Sequence, residues 1–369
     1  MRKKKVLIVA NSLDYGGFDW VAIHLQQNLD HEKFECVFCL RGSAKGPLEN
    51  FVSEKGARVI HQPDATCGHL QSYQFFKTLF QKEQFDIVHC HQLFYSAIVL
   101  KAAADCGVPK RVAHAHFSKP LMRGKIIDFL LRFYHSAMRF LLRRYCTDMV
   151  ACSRESGAFL YGRRTFYKRG VLLNNGIYTD EYLFRSENRQ AVRKEFGLQN
   201  QTAICHVGKM YYIKNQKFVL DIFHAYLKMD PTAILFLIGD GTDRPALQER
   251  AKALSIEDRV IFAGTRDDVS RLLSAMDCFL FPSLHEGFPL TLIEAQTNRL
   301  PCVVSATITP SAKINENFVY VPLTESPEKW ADAVASMVKR GRENIDISPI
   351  VEQYDLKNVT KQLEQIYLS

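Results

Sequence analysis

Two acids, Glu286 and Glu294, lie eight residues apart in the run Pro282-Ser283-Leu284-His285-Glu286-Gly287-Phe288-Pro289-Leu290-Thr291-Leu292-Ile293-Glu294-Ala295. An apolar strand runs into Pro282, Gly287 permits a tight backbone, and Pro289 fits a first helical turn. Amides at such a helix start can hold phosphate oxygens, and the two carboxylates can accept hydrogen bonds from sugar hydroxyls. Glu294 falls just over one turn into the helix. It lies either on an exposed face or, given apolar Leu292, Ile293 and Ala295, partly buried and in need of a partner.

Three further runs end apolar stretches in the same way. In Cys205-His206-Val207-Gly208-Lys209-Met210-Tyr211-Tyr212-Ile213-Lys214-Asn215 a strand ends at Gly208, and two lysines bracket a loop before a helix. Two ammonium groups beside a helix N-terminus suit a diphosphate; a solvated surface loop is the plainer alternative. Asp14-Tyr15-Gly16-Gly17-Phe18-Asp19 stands between a strand and a helix. Its glycines either let amides approach a phosphate or simply make a turn. Gly239-Asp240-Gly241-Thr242 reads by itself as a turn.

These runs need elements that hold them at one edge. Short apolar stretches alternate with longer helical patterns through both halves, the rhythm of βαβ units and parallel sheets. Strands are expected at 5–10, 35–40, 58–61, 86–90, 111–114 and 149–151, then at 202–207, 233–238, 260–263, 278–281 and 302–304. Helices fill the intervals, among them 215–228 and 289–298. A polar stretch, 178–200, follows the turn signal Asn174-Asn175-Gly176 and divides the halves; a last helical pattern, 350–367, follows Pro349. A chain of 369 residues, 47% hydrophobic, has material for two domains. The expected fold is α/β: two Rossmann-like, doubly wound domains at 1–178 and 179–348, facing a cleft, and a terminal helix at 349–369.

Charge and cysteine usage narrow the partners. Residues 1–180 carry 26 Lys and Arg against 15 Asp and Glu, a net of +11, and the remainder a net of −2. That asymmetry suits an anionic partner: a membrane surface, a lipid diphosphate or a nucleic acid. Segment 121–145 interleaves Arg123, Arg132, Arg139, Arg143 and Arg144 with Phe129, Phe133 and Phe140. It reads either as a basic amphipathic helix against an anionic membrane or as an ordinary helix with a solvated basic face. The apolar run 6–10 is too short for a secretory segment, so a cytoplasmic location is expected. The ten cysteines are scattered. The one close pair, Cys36 and Cys39, should point to opposite faces of a strand, and buried reduced thiols are expected.

Taken in order, these motifs resemble the retaining GT-B glycosyltransferases of family 4, of the bacterial capsular and exopolysaccharide type. The matching stretches are Gly16-Gly17, Arg111-Val112-Ala113-His114-Ala115-His116, Ala151-Cys152-Ser153, Asn175-Gly176-Ile177, His206-Val207-Gly208 through Lys214-Asn215, and Phe281-Pro282-Ser283 through Glu294-Ala295-Gln296. The resemblance implies transfer of a sugar from a nucleotide sugar, UDP by default, to a saccharide or lipid-linked saccharide acceptor. It implies no metal, no cofactor and no nucleic-acid partner, and a place in the cytoplasm or at the inner face of the membrane. Glu286 would contact the donor sugar and Glu294 the ribose. Lys209 and Lys214 would hold the diphosphate with Gly208 and the backbone of Gly287, Phe288, Pro289 and Leu290. Gly16 and Gly17 would close over the phosphates, His116 would sit near the transferred sugar, and the final helix would cross back to the N-terminal domain. Three departures stand out: Lys209 where many relatives have Arg, Phe18-Asp19 in place of a small residue and Glu, and a run at 306–311 without acids. A nucleotide-sugar epimerase or hydrolase on the same scaffold, and a non-catalytic donor-binding subunit, are the competing expectations.

Overall fold

The computed structural model describes residues 2–14, 17–63, 68–117 and 125–369, with the side chains at 17, 18, 125–128 and 130 outside that description. The chain forms two compact units. The first runs to Gly176 and is completed by Leu356–Ser369; the second is Ile177–Asp355.

The first unit is built on seven parallel strands: β1 (Lys4–Ala10), β2 (Phe34–Leu40), β3 (Arg58–His61), β4 (Ile87–Cys90), β5 (Lys110–Ala115), β6 (Asp148–Ala151) and β7 (Gly170–Leu172), in the order β3-β2-β1-β4-β5-β6-β7. The second has six: β8 (Ala203–Val207), β9 (Ile234–Ile238), β10 (Val260–Gly264), β11 (Cys278–Phe281), β12 (Cys302–Ser305) and β13 (Phe318–Val321), in the order β10-β9-β8-β11-β12-β13. A parallel sheet needs a crossover on each connection, so helices cover both faces and the strands become near-continuous apolar runs. Val6 to Ala10 and Ile234 to Ile238 are buried throughout. One face of the first sheet carries Leu7, Val9, Val88 and Ala113 against Phe76 and Phe80 of helix His69–Lys82. In the second unit Trp330 is fully buried, and its Nε1 donates to the carbonyl of Pro322 at 3.1 Å.

Two strands lie outside the expected set. β7 is an edge strand with Val171 and Leu172 about 40% exposed, so it has no buried run to announce it. β13 is a four-residue edge strand behind an Asn-rich loop. The terminal pattern at 350–367 is two helices. Ser348–Tyr354 belongs to the second unit and Leu356–Leu368 to the first. The break comes at Asp355, which forms a parallel bridge with Ile177 and accepts from the Thr179 hydroxyl at 2.5 Å. The expected segment 349–369 is therefore divided between the units.

Cys36 and Cys39 are both buried, and burial pushes the Cys36 thiol up to about 12. All nine described cysteines are unpaired thiols.

Candidate active site

In the second unit the chemistry gathers where β8, β9 and β11 end. Gly208 follows β8 and is bonded through its N–H to the Ile238 carbonyl at 2.9 Å. The Gly239-Asp240-Gly241 turn lies flat against this backbone. A Cβ at Gly239 or Gly241 would run into the carbonyl oxygens of Gly208 and Met210. That turn supports the lysine loop and is fixed by Asp240, which accepts from Gly241 N and Arg244 Nη1, each at 2.7 Å.

Asn215, in left-handed conformation at φ 57°, closes the lysine loop and donates from Nδ2 to the Pro282 carbonyl at 3.1 Å. Leu284 N donates to the Ile213 carbonyl at 2.8 Å. So stitched, the two loops bring Lys214 Nζ to 2.7 Å from Glu286 Oε1, with both side chains only 13% exposed. The ammonium also stands 5.1 Å from the Phe281 ring centroid. Lys209 is exposed, and its carbonyl accepts from Gln216 Nε2 at 3.0 Å. The two lysines are thus unlike: Lys214 is held and paired, Lys209 reaches into solvent.

Helix Leu290–Thr297 begins one residue later than Pro289, which stands at the cap position and not in the first turn. Gly287 and Phe288 lie in the loop before it, where the Phe288 ring stacks on Tyr354 at 5.6 Å. Glu294 is part-buried on this helix. Burial pushes its carboxyl up to about 7, against the pull of a hydrogen bond from the Tyr182 hydroxyl. Tyr182 is the partner that a buried acid at this position needed. In place of acids, the run after Ser305 offers hydroxyls: Thr307 Oγ1 donates to the Ser283 carbonyl at 3.0 Å and meets Ser305 Oγ at 2.7 Å. Three buried polar atoms around these loops, His206 Nε2, Ser283 Oγ and Thr291 Oγ1, have no partner among the described residues. Native proteins leave few such atoms unmatched without a reason, and a ligand is one.

In the first unit, His116 directly follows the end of β5 and is buried. It belongs to a block of four imidazoles with His89 and His91 from β4 and its end, and His114 from β5. Successive ring centroids are 4.2–5.3 Å apart. Burial pushes His116 down to about 4 and His89 to about 3, so the block is neutral at pH 7. Ring nitrogens of His89, His91 and His114 lie within 4.8 Å of one another. Two close contacts, His89 Nε2 to His114 Nδ1 at 3.2 Å and His91 Nδ1 to His116 Nε2 at 2.8 Å, commit those nitrogens to one another.

Two family models cover nearly all of this chain: one described as glycosyl transferases group 1 over residues 188–349, and one as glycosyltransferase family 4 over residues 15–181. The chain belongs to the family 4 glycosyltransferases. EpsF of Bacillus subtilis, a glycosyltransferase by its given name, is 29% identical over 92% of this chain and 89% of its own length. CapH of Staphylococcus aureus, a capsular polysaccharide biosynthesis glycosyltransferase, is 24% identical over 99% of both chains. The structure of HepE from Anabaena in complex with UDP and glucose matches with a TM-score of 0.79 at 16% identity, over 99% of this chain and 100% of that one. The fold is GT-B: two Rossmann-like domains with parallel sheets.

The glycosyltransferase's remaining candidates divide by what the structure describes. Gly17 opens helix Gly17–Asn28, while Gly16 and residues 121–124 lie outside the described residues. Helix Lys125–Tyr145 sorts its arginines by face. Arg139 and Arg143 turn inward, donating to the carbonyls of Phe159 at 2.8 Å and Tyr161 at 2.7 Å. Phe129, Phe133 and Phe140 face solvent at 57%, 63% and 65% exposure, in one stripe with Arg132 and Arg144. No helix among the described residues is long and apolar enough to cross a membrane. Residue-by-residue reading missed Tyr182, His89 and His91. The signal for the histidines was present in Val88-His89-Cys90-His91, where alternation puts both rings on one face of a strand.

Proposed function

We propose that this glycosyltransferase transfers a sugar, with retention at the anomeric carbon, from a UDP-linked donor to a saccharide or lipid-linked saccharide acceptor of a surface polysaccharide. The Lys214–Glu286 pair carries the reading. Each group is the other's counter-ion, and both are largely shielded from solvent. A donor diphosphate can displace Glu286 from Lys214, and the freed carboxylate can then accept from hydroxyls of the donor sugar. One ion pair is exchanged for two charge-assisted contacts. The donor C1–O bond breaks as the acceptor oxygen attacks the same face, and the bonding electrons leave with the diphosphate. Lys214 and the amides around the start of helix Leu290–Thr297 stabilise that charge. A departing phosphate oxygen takes the acceptor's proton, which suits a His116 too weakly basic to take it at neutral pH. Glu294 accepts from the ribose hydroxyls. These groups supply charge that a metal supplies elsewhere, so the reaction needs none. The UDP and glucose bound to HepE support the donor class.

The acceptor side includes a surface. The phenylalanine stripe of helix Lys125–Tyr145, flanked by Arg132 and Arg144, suits an anionic bilayer that takes phenyl rings and guanidinium groups together.

A panel of UDP-sugars with a lipid-linked saccharide acceptor tests the chemistry, with the product anomer read by proton NMR. Retained configuration is expected. An inverted product, or donor turned over to free sugar whether or not acceptor is present, overturns the reading. For the surface, flotation with phosphatidylglycerol vesicles at low salt is expected, weakened at high salt and in a Phe133→Ser, Phe140→Ser variant. Equal recovery with neutral vesicles sinks that part.

A further inference from the structure

β8 and β11 run side by side, with Ile204 opposite Cys278 and Cys205 opposite Phe279, so the next step sets His206 beside Leu280. There His206 Nδ1 lies 2.9 Å from the Leu280 carbonyl oxygen. A carbonyl only accepts, so the imidazole proton is on Nδ1 and Nε2 is a bare lone pair. Burial pushes the ring down to about 4, so it stays neutral at pH 7. His206 is 1% exposed, and Nε2 has no partner among the described residues. An acceptor buried without a donor forfeits the hydrogen bond it would make to water.

What satisfies that lone pair must bring a hydrogen, and a diphosphate ionised at neutral pH brings none. The Lys214 ammonium has three, one of which goes to Glu286 Oε1 at 2.7 Å. Gly208 lies between the lysine and the imidazole. A Cβ there would stand 3.2 Å from Lys214 Cε, 3.4 Å from its Cδ and 3.6 Å from His206 Nε2, so the lysine stem and the lone pair line one small space. Both also pack on Phe281. The imidazole stacks on that ring at 5.6 Å and 19° from parallel, and the ammonium stands 5.1 Å from its centroid.

We infer that His206 is a positioning residue for Lys214: its Nε2 lone pair receives the ammonium when Glu286 lets go, so that the lysine meets the donor diphosphate from one fixed place. A turn of the lysine stem carries the ammonium from Glu286 to Nε2. Its other N–H groups then face phosphate oxygens, and Glu286 is left for the sugar. The lone pair lacks a donor only while Glu286 holds the ammonium. This inference rests on the nucleotide-sugar reading for its consequence, although the contact itself can be measured without turnover.

The experiment uses the full chain with 15N-labelled histidine, and UDP as the probe. Accepting from the ammonium should move the His206 Nε2 resonance upfield of its lone-pair position. UDP should produce that shift in wild type, and Glu286→Ala should produce it with no ligand added. His206→Asn puts an amide N–H where Nδ1–H stood, so it keeps the bond to Leu280 and loses the acceptor. Its affinity for UDP should fall about 10–100-fold, the worth of one hydrogen bond to a charged group. His206→Gln carries an amide oxygen out to the Nε2 position and gives up the Leu280 bond. It should bind UDP within about threefold of wild type, yet melt below the Asn variant. A merely structural His206 would make the Gln variant the weaker binder as well. Wild-type affinity for UDP in the Asn variant overturns the inference, and so does an Nε2 resonance unmoved by both UDP and Glu286→Ala. A resonance moved only by a UDP-sugar gives the lone pair to a sugar hydroxyl and overturns the lysine assignment. If UDP moves Nε2 as expected but wild type transfers no sugar, the transfer reading fails and the contact stands. If UDP does not bind, the donor reading fails and Glu286→Ala decides the contact. If Glu286→Ala does not fold, the UDP titration and the two His206 variants decide.

Discussion

The two units place their polar groups differently. In the second, Lys214 and Glu286 sit on loops beyond the strand ends as a charged pair with a measure of solvent access. In the first, the histidines sit on or at the very ends of β4 and β5, neutral and enclosed. A charged loop pair can trade partners with an incoming anion at modest cost. A buried imidazole block cannot, because each ring's hydrogen bonds depend on the next. The contrast separates groups free to exchange partners from groups held by their neighbours.

The largest expected effect comes from breaking the pair. Lys214→Ala removes the cation and strands Glu286, and should lower transfer kcat/KM by about 10²–10³-fold and abolish the thermal shift given by UDP. Lys214→Arg should recover part of both, since it keeps the charge but not the shape. If Lys214→Ala binds UDP as well as wild type, the pair is structural only, and the contrast collapses.

The next effect is on stability, where the buried histidines of the first unit and Glu294 of the second should respond to pH with opposite signs. A histidine held below its ordinary 6.5 binds fewer protons folded than unfolded. His89 and His116 therefore contribute stability that is present above about pH 6.5 and is lost as pH falls towards about 4 and 3. Glu294 is raised from 4.5 to about 7, so its contribution is full below about pH 4.5 and is lost as pH rises through 7. Glu294→Gln should therefore raise the unfolding free energy at pH 8 by up to about 3 kcal/mol, read as a higher melting temperature, and change it little at pH 5. The chain's two tryptophans, Trp20 and Trp330, fall one in each unit. In a Trp20→Phe variant, Trp330 fluorescence should report a second unit that outlasts acid loss of the first. Simultaneous loss of both would remove the distinction.

The smallest expected effect is none: EDTA, followed by elemental analysis of the treated protein, should leave transfer unchanged. A metal retained at stoichiometry by His89, His91 and His114, with activity lost on its removal, would make the first unit a metal centre.

The sequence was most legible where physics is local. Val6 to Ala10 and Ile234 to Ile238 are continuous apolar runs because both faces of a parallel sheet are covered. The Glu286 loop was readable because Gly287 and Pro289 mark a strand-to-helix turn. What escaped was set by tertiary contact. Nothing in Tyr354-Asp355-Leu356 signals a helix break; the bridge to Ile177 imposes it. Tyr182 is more than 100 residues from Glu294 in sequence, so no spacing connects them. The Gly239-Asp240-Gly241 turn read as a turn, but its glycines are required by backbone packed against backbone, which no one-dimensional pattern displays.

The first unit is discontinuous in sequence, and this sets an order of assembly during synthesis. Its sheet is complete in sequence by Gly176, yet the helix that carries Tyr367 leaves the ribosome only after roughly 180 further residues. Until then His89 lacks its phenol partner, Phe34 lacks the ring packed against it, and the Asp30 amide lacks the Glu364 carboxylate that accepts from it at 2.7 Å. A nascent chain therefore carries an unfinished imidazole block while the whole second unit is being made. A ribosome stalled before Leu356 would hold a product whose second unit is fully translated and whose first cannot yet close.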